Sequence, residues 1–348
     1  MIFALKKFTG GMGDEDESQP ENDRSWMKFF LKPQDEAKTV ICTRKANGEA
    51  VHLSVRFIEQ KCFLIVGSKN VHILISTYSD IEKYLDSRFQ YAKVIARAVL
   101  DTLSSFNDSS LSLLLNFLHY TKLTAVFELL QPKYQHIENL STLQNNTLQF
   151  IAWTLPYDQN NRNSKSYCAI SPDKGIQFAQ KLGFQTVIYD SIDPRDVPSR
   201  MDSIRISHGF EGEVMYFMDE CENVIGLMKK KTAWYIVLRA IREKAVAAYA
   251  EWKKLSNFNQ ASWSRKVKSR LKDIQGWVCY SDKFCDTWAK LGFTFIVWVI
   301  HLCQGKLERN AENNKLKRII NDVGIRPQFP CIWKQILDLQ NLSDRIAW

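Results

Sequence analysis

None of the eight cysteines, at positions 42, 62, 168, 221, 279, 285, 303 and 331, forms a CxxC pair, and the six histidines complete no zinc pattern with them. This excludes a zinc-finger module. The scattered thiols read as reduced, as in a cytoplasmic or nuclear protein. Long apolar runs are also missing. The longest late one, Leu291–Cys303, contains Gly292 and His301 and falls short of the ~20 residues a spanning helix needs. It reads as a buried helix, and no membrane partner is expected. Met1–Thr9 is too short for a signal peptide. There is no GxxxxGK[ST] phosphate loop and no fixed-period repeat.

The 348 residues suffice for two domains or one large one. With 45% hydrophobic and 24% charged residues, the chain reads as a globular protein with a sizeable core. Its net charge of +9 suits a polyanionic partner, without separating RNA from DNA or an acidic membrane surface. The 10 Trp, 12 Tyr and 20 Phe serve mostly as core, with some free to stack on bases if exposed.

Residues 10–23 are Gly-rich and then acidic, which predicts a mobile linker. Short apolar pieces over 38–76, separated by turn residues, predict an antiparallel meander. Helical spacing follows over 78–104, and again over 109–119. Strands are expected at 123–130, 147–154 and 185–189, a surface loop at 157–166, and a helix at 172–182 between Ser171-Pro172 and Gly183. Strands at 213–218 and 222–229 flank a turn at Asp219-Glu220, with 235–238 extending the second. From about 240 only helical spacing is found, over 240–254, 262–274, 282–301, 314–321 and 330–346. The fold class is α+β: antiparallel sheets with flanking helices, then an all-α domain. The expected division is 1–25 flexible, 26–243 the main domain and 244–348 the helical one.

Five stretches carry candidate chemistry. Lys45-Ala46-Asn47-Gly48 lies between two expected strands, where a strand holds an amine fixed and glycine permits close backbone approach. A hairpin turn at Asn47-Gly48 with a solvated Lys45 is the alternative. Ser68-Lys69 ends a strand and puts a cation beside a phosphate or ribose, unless it is a surface lysine. Phe127-Glu128 puts a carboxylate among apolar residues, costly unless hydrogen-bonded, or else pointing to water from an edge. Glu211-Gly212 precedes a strand and offers a carboxylate to Mg²⁺, or is an ordinary turn. In Lys229-Lys230-Lys231, residues 229 and 231 share a face. Two adjacent ammonium groups suit a triphosphate, or the run is a solvated basic face. With cations nearby and burial, the pKa of Lys45 is expected to fall, freeing the amine.

The order K-x-x-G, S-K, F-E, E-G, K-x-K over about 190 residues resembles the covalent nucleotidyltransferases, and within them the RNA ligases of the phage type and of the fungal tRNA ligases. Lys45-Ala46-Asn47-Gly48 is similar to the fungal KANG form of the nucleophile motif. Lys28-Phe29-Phe30 resembles the upstream KFF element, and Lys229-x-Lys231-x-x-x-Tyr235 the KxKxxxY motif. The resemblance implies an ATP-dependent RNA ligase acting through lysyl-AMP, with Mg²⁺, or Mn²⁺ as an alternative. Lys45 would be the nucleophile. Asn47, Gly48, Lys69, Phe127, Glu128, Glu211, Lys229 and Lys231 would contact the nucleotide, Glu128 at the ribose and Glu211 at the metal. RNA ends bearing 5′-phosphate and 3′-hydroxyl would be the partners, in RNA repair or tRNA splicing, with end-healing enzymes acting beforehand and the ligase a monomer. Relatives carry a phosphate-binding arginine upstream of the KFF element, whereas the surroundings of Arg24 do not match it. An OB-fold would be expected of a DNA ligase or a guanylyltransferase, and the helical spacing after 240 opposes both. A catalytically inert RNA-binding relative is a further alternative. The basic stretch Ser264–Lys272, with Trp263 and Trp277 nearby, is either a solvated helix face or an RNA grip separable from the five motifs.

Overall fold

The computed structural model describes residues 2, 4–5, 29–156, 165–308 and 310–346. The 10–23 linker, Arg24, Lys28 and most of the 157–166 loop lie outside the described residues. The fold is α+β, with two sheets and a helical C-terminal part.

The expected meander is split. Strand β1 (Thr39–Arg44) joins a four-stranded sheet with β8 (Tyr189–Ile192), β9 (Gly212–Met218) and β10 (Val224–Lys231), in the order β10-β9-β1-β8. Strand β2 (Glu49–Ile58) enters a different, six-stranded sheet with β3 (Lys61–Gly67), β4 (His72–Ile75), β5 (Thr124–Leu130), β6 (Thr147–Thr154) and the short β7 (Gln185–Thr186), in the order β4-β3-β2-β5-β6-β7. Only β2, β3 and β4 form a meander. Both faces of β1 are covered: Val40 and Cys42 face one apolar cluster, Ile41 another. On β2 the alternate residues Val51, Leu53 and Val55 are buried in a third. Both edges of β1 are taken by β8 and β9, and both edges of β2 by β3 and β5, so the two strands do not pair with each other and residues 45–48 carry the chain from sheet to sheet. Asn47-Gly48 is not a hairpin turn.

The helices over the larger sheet depart from the expected single run over 78–104. A short α1 (Tyr78–Glu82) is followed by a 3₁₀ turn at Ser87–Phe89 and then α2 (Gln90–Ser104). The break lies where Leu85 is exposed and the Asp86 carboxylate accepts from Arg88 N–H to start the next turn. Helices α3 (Asp108–Thr121) and α4 (Pro172–Leu182) follow. Helix α5 (Val197–Ile206), which packs on β10, carries no apolar periodicity, since only Val197, Ile204 and Arg205 are buried. Nor does the half-exposed strand β8. Neither is legible in the sequence.

The apolar run at 235–238 does not extend β10. It lies in the first turns of α6 (Ala233–Leu255), capped by Thr232, whose hydroxyl accepts from Tyr235 N–H at 3.1 Å. Residues 233–238 are all buried, and a continuous apolar run has no periodicity to separate strand from buried helix. Helices α7 (Gln260–Val278), α8 (Asp282–Gln304), α9 (Ala311–Asp322) and α10 (Ile325–Leu339) complete the helical part. The expected helix over 330–346 begins earlier, at Ile325, and ends at Leu339. Among the described residues no helix is long and apolar enough to cross a membrane.

The helical part grips a loop of the sheet region, residues 131–146. Ile137 belongs to its core. Gln135 N–H donates to the Pro327 carbonyl at 2.8 Å, and Gln328 Nε2 to the Lys133 carbonyl at 2.8 Å. Arg242 of α6 donates to the His136 carbonyl at 3.1 Å. The Gln135 amide itself is buried. It accepts from Leu140 N–H at 2.8 Å and donates to the Pro132 carbonyl at 2.7 Å and Cys331 Sγ at 3.2 Å. Gln135→Ala strands these buried groups, at about 1–3 kcal/mol each for groups left unpaired. It should lower the urea midpoint clearly while leaving the m-value unchanged, as measured by chemical denaturation.

Candidate active site

Three of the four residues of the Lys45–Gly48 crossing are held by polar partners. Lys45 N–H donates to the Gly212 carbonyl at 2.8 Å, which prolongs the β1–β9 pairing by one bond. Its ammonium lies 3.0 Å from Glu211 Oε1. The other Glu211 oxygen accepts from Asn47 Nδ2 at 2.8 Å. Asn47, 3% exposed, accepts in turn from Ile137 and Glu138 N–H at 2.9 and 3.0 Å. Gly48 N–H donates to Glu128 Oε1 at 3.1 Å. A β-carbon on Gly48 would lie 2.2 Å from the Leu129 carbonyl oxygen, so only glycine lets the crossing run this close to β5. Four of the five sequence stretches, those of Lys45, Glu128, Glu211 and Lys231, thus converge at one point.

The register places the lysines. Lys231 pairs with Gly212, and Lys45 bonds the same residue from the other side, so Lys45 and Lys231 flank a position without a side chain. Lys231 lies 5.4 Å from the Tyr235 ring centroid and helps keep Glu211 ionised. Lys229 pairs with Val214, a wall residue of the cavity described below, on the same face as Lys231. Lys230 is on the opposite face, opposite Glu213, which Arg200 holds through two 2.8 Å bonds. That face is buried too: Lys230 is 7% exposed, so the run is not a solvated basic face.

Electrostatics corrects the expected state of Lys45. Burial works to lower its pKa, but Glu211 and Glu128 outweigh burial and hold it well above the ordinary lysine value. With Glu211 3.0 Å from the amine and Glu128 adding to it, Lys45 rests as an ammonium. Glu128 is pushed up to about 7, by burial first, with Lys45 opposing. Burial also raises Glu138. Glu211 is held down, because Lys45 and Lys231 overcome its burial.

A cavity of about 210 Å³ opens beside this cluster, lined among others by Thr43, Lys45, His52, Lys69, Glu128 and Val214. Lys69, at the end of β3, is exposed on its rim. Phe127 borders the cavity, while its ring packs in the aromatic core against Phe150 and Phe184, at 5.5 and 4.9 Å between centroids. Among the described residues no group of three or more His, Cys, Asp or Glu side chains could hold a metal ion.

Glu138 is a site residue that sequence reading missed. Its carboxylate accepts from Glu211 N–H at 2.8 Å and lies 3.6 Å from Arg44. It sits in an irregular loop with no motif around it. Glu49, the acidic residue directly after Gly48, turns away to His136 at 3.2 Å. Phe30 of the KFF element packs edge-on against Phe217 at 5.0 Å, tying the start of the described chain to the smaller sheet. The basic stretch on α7 does not offer both tryptophans for stacking. Trp263 is buried and donates its indole N–H to Glu251 at 3.1 Å, and Trp277 lies under Arg270. Lys266 and Lys268 are paired with Glu251 and Asp286.

Residues 29–242 match a family described as a domain of unknown function (DUF7920). The chain belongs to that family. The DUF7920 region ends ten residues into α6, within the helix that continues the lysine strand. No curated protein matches the chain. Among solved structures, it is similar to an archaeal ATP-dependent RNA ligase at 13% identity, with a TM-score of 0.45, over 83% of this chain and 70% of that one. It is also similar to a Naegleria gruberi RNA ligase with PPi, at 12% identity and a TM-score of 0.39, over 66% of this chain and 61% of that one. A mutant of the Naegleria gruberi enzyme with ATP and Mn is matched at 12% identity, with a TM-score of 0.39, over 68% and 59%.

Glu128 gives this DUF7920 site a pH signature. Its folded pKa of about 7 lies above the ordinary glutamate value of 4.5, so between these values the folded state holds a proton that the unfolded chain has released. Its contribution to stability is therefore lost as pH rises through this window. Glu128→Gln removes the penalty of the buried charge. The melting-temperature difference between variant and parent should be more positive at pH 8 than at pH 5. Equal differences at the two pH values would mean that Glu128 titrates as an ordinary carboxyl.

Proposed function

We propose that the protein is an ATP-dependent RNA ligase that works through a lysyl-AMP intermediate on Lys45. The observation that carries this reading is the convergence of Lys45, Glu128, Glu211 and Lys231 around the Lys45–Gly48 crossing, at the mouth of a cavity. These are the residue types that amine attack on a nucleotide requires: a positioned nucleophile, a hydroxyl acceptor and cations for phosphates.

In the first step the neutral Lys45 amine attacks the α-phosphorus of ATP. An N–P bond forms as the P–O bond to pyrophosphate breaks, and the proton released from the ammonium passes to solvent. Lys231, Lys229 and Lys69 neutralise the phosphates, and Glu128 accepts from the ribose hydroxyls. In the second step a 5′-phosphate oxygen of RNA attacks the AMP phosphorus and displaces Lys45. In the third a 3′-hydroxyl attacks the 5′-phosphate and AMP leaves. Before the first step Lys45 must give up the proton that Glu211 and Glu128 help it retain. Glu211 is the carboxylate that would hold Mg²⁺. Each of its oxygens keeps a second acceptor site, and Mg²⁺ takes only one or two carboxylates when phosphates and water complete its shell. When bound, the ion supplies charge neutralisation on the triphosphate. The RNA ends would come from end-healing enzymes, in repair or tRNA splicing.

Among the described residues five α-helices follow Lys231, where a DNA ligase or a guanylyltransferase would be expected to carry an OB-fold, which supports the RNA ligase reading. Purified protein given labelled ATP and Mg²⁺ should carry AMP on Lys45 and none after Lys45→Ala, read by peptide mapping. AMP on another lysine would overturn the assignment, and a preference for GTP would favour a guanylyltransferase. Lys229→Ala and Lys231→Ala should each reduce labelling by roughly 10²-fold or more. Lys230→Ala should lower the melting temperature with far less effect on labelling, because its buried side chain lies on the face away from the cavity.

A further inference from the structure

Two histidines stand side by side at the cavity wall. His52 of β2 and His72 of β4 both pair with Gly67 of β3, so all three lie in one row on one face of the sheet. With no side chain between them, the two rings approach to 5.6 Å between centroids. A β-carbon on Gly67 would lie 2.1 Å from the Val71 carbonyl oxygen, so the gap cannot be filled. His52 is 2% exposed, and its ring lines the cavity with Val126, Ile151 and Val214.

Both hydrogen bonds of His52 run through Nδ1, to the Ser68 carbonyl at 3.4 Å and to His72 Nε2 at 3.4 Å. A backbone carbonyl can only accept, which assigns the proton to Nδ1. Burial, with His72 and Lys69 adding to it, lowers the pKa of His52 to about 4, so the ring is neutral at ordinary pH. Nε2 is then a lone-pair acceptor, without a partner among the described residues, in a largely apolar wall. Such a group is costly until a donor reaches it.

We propose that His52 Nε2 is a specificity-determining acceptor that receives the exocyclic amine of an adenine base seated in this cavity. The inference rests on the reading of the cavity as a nucleotide site. Ser68 sets the tautomer, and His72 acts as a positioning residue on the far side of the ring. A 6-keto purine turns an oxygen lone pair toward the Nε2 lone pair and leaves both unsatisfied, so guanine and hypoxanthine are refused. The selection belongs to the wall of the cavity and is independent of the charges at Lys45.

The test uses the full chain with ATP and inosine triphosphate, read by calorimetric binding and, separately, by covalent labelling. The parent protein should bind ATP roughly 10- to 100-fold more tightly than inosine triphosphate, as expected when a site's hydrogen-bonding group loses its partner. His52→Leu should lose most of that ratio through weaker ATP binding, with inosine triphosphate little changed. His52→Gln, whose carbonyl restores an acceptor, should recover part of it, and melting curves establish that both variants fold. An undiminished ratio in His52→Leu, or equal affinities in the parent, overturns the assignment. ATP selectivity without labelling of Lys45 would instead defeat the ligase reading and leave the role of His52 standing.

Discussion

The site depends on one ion pair, that of Lys45 with Glu211 at 3.0 Å. Glu211 is nearly buried, and a buried charge persists only when it is paired and its remaining acceptor sites are used. The second Glu211 oxygen fixes Asn47, and Asn47 fixes the loop that carries Ile137 and Glu138. Glu138 returns to the backbone N–H of Glu211. The ring of bonds closes on itself. Removing any member leaves a buried polar group exposed to an apolar surrounding rather than to water.

The same ring joins the two ends of the molecule. Loop 131–146 touches Asn47 on one side and the helical part on the other, through Gln135, His136 and Ile137. The helices thus contact the loop that Asn47 holds, although the five motifs themselves lie before residue 240. α6 starts directly at the lysine strand, so a single continuous segment carries both Lys229 and Lys231 and the first helix of the C-terminal core.

The cluster is also coupled by charge. Glu211 and Glu128 hold the charge on Lys45, and Lys45 and Lys231 in turn keep Glu211 ionised. The pKa values of Glu128 and Glu138 are raised by burial first, with the neighbouring Glu211 carboxylate adding to it. Lys45 serves the carboxylates in the resting protein. A triphosphate would change that balance.

Much of this was legible in the sequence, because it depends on local periodicity. Alternation alone put Lys229 and Lys231 on one face and Lys230 on the other. The caps at Ser171-Pro172 and Gly183 bounded α4, and the spacing after residue 240 announced helices. Where periodicity is absent the sequence is silent: over the uniformly buried 233–238, along α5, and in edge strand β8. What only the tertiary structure decided is which groups are neighbours. Lys45-Ala46-Asn47-Gly48 has the composition of a hairpin, yet β8 and β9 occupy both edges of β1, and the next strand pairs in another sheet. Charge chemistry follows from distance, since electrostatic interaction falls with separation and grows with burial. The sequence lists lysines and glutamates without their separations. Only the fold brings Glu211 to 3.0 Å from Lys45, with Glu128 also acting on it, and so sets its resting charge.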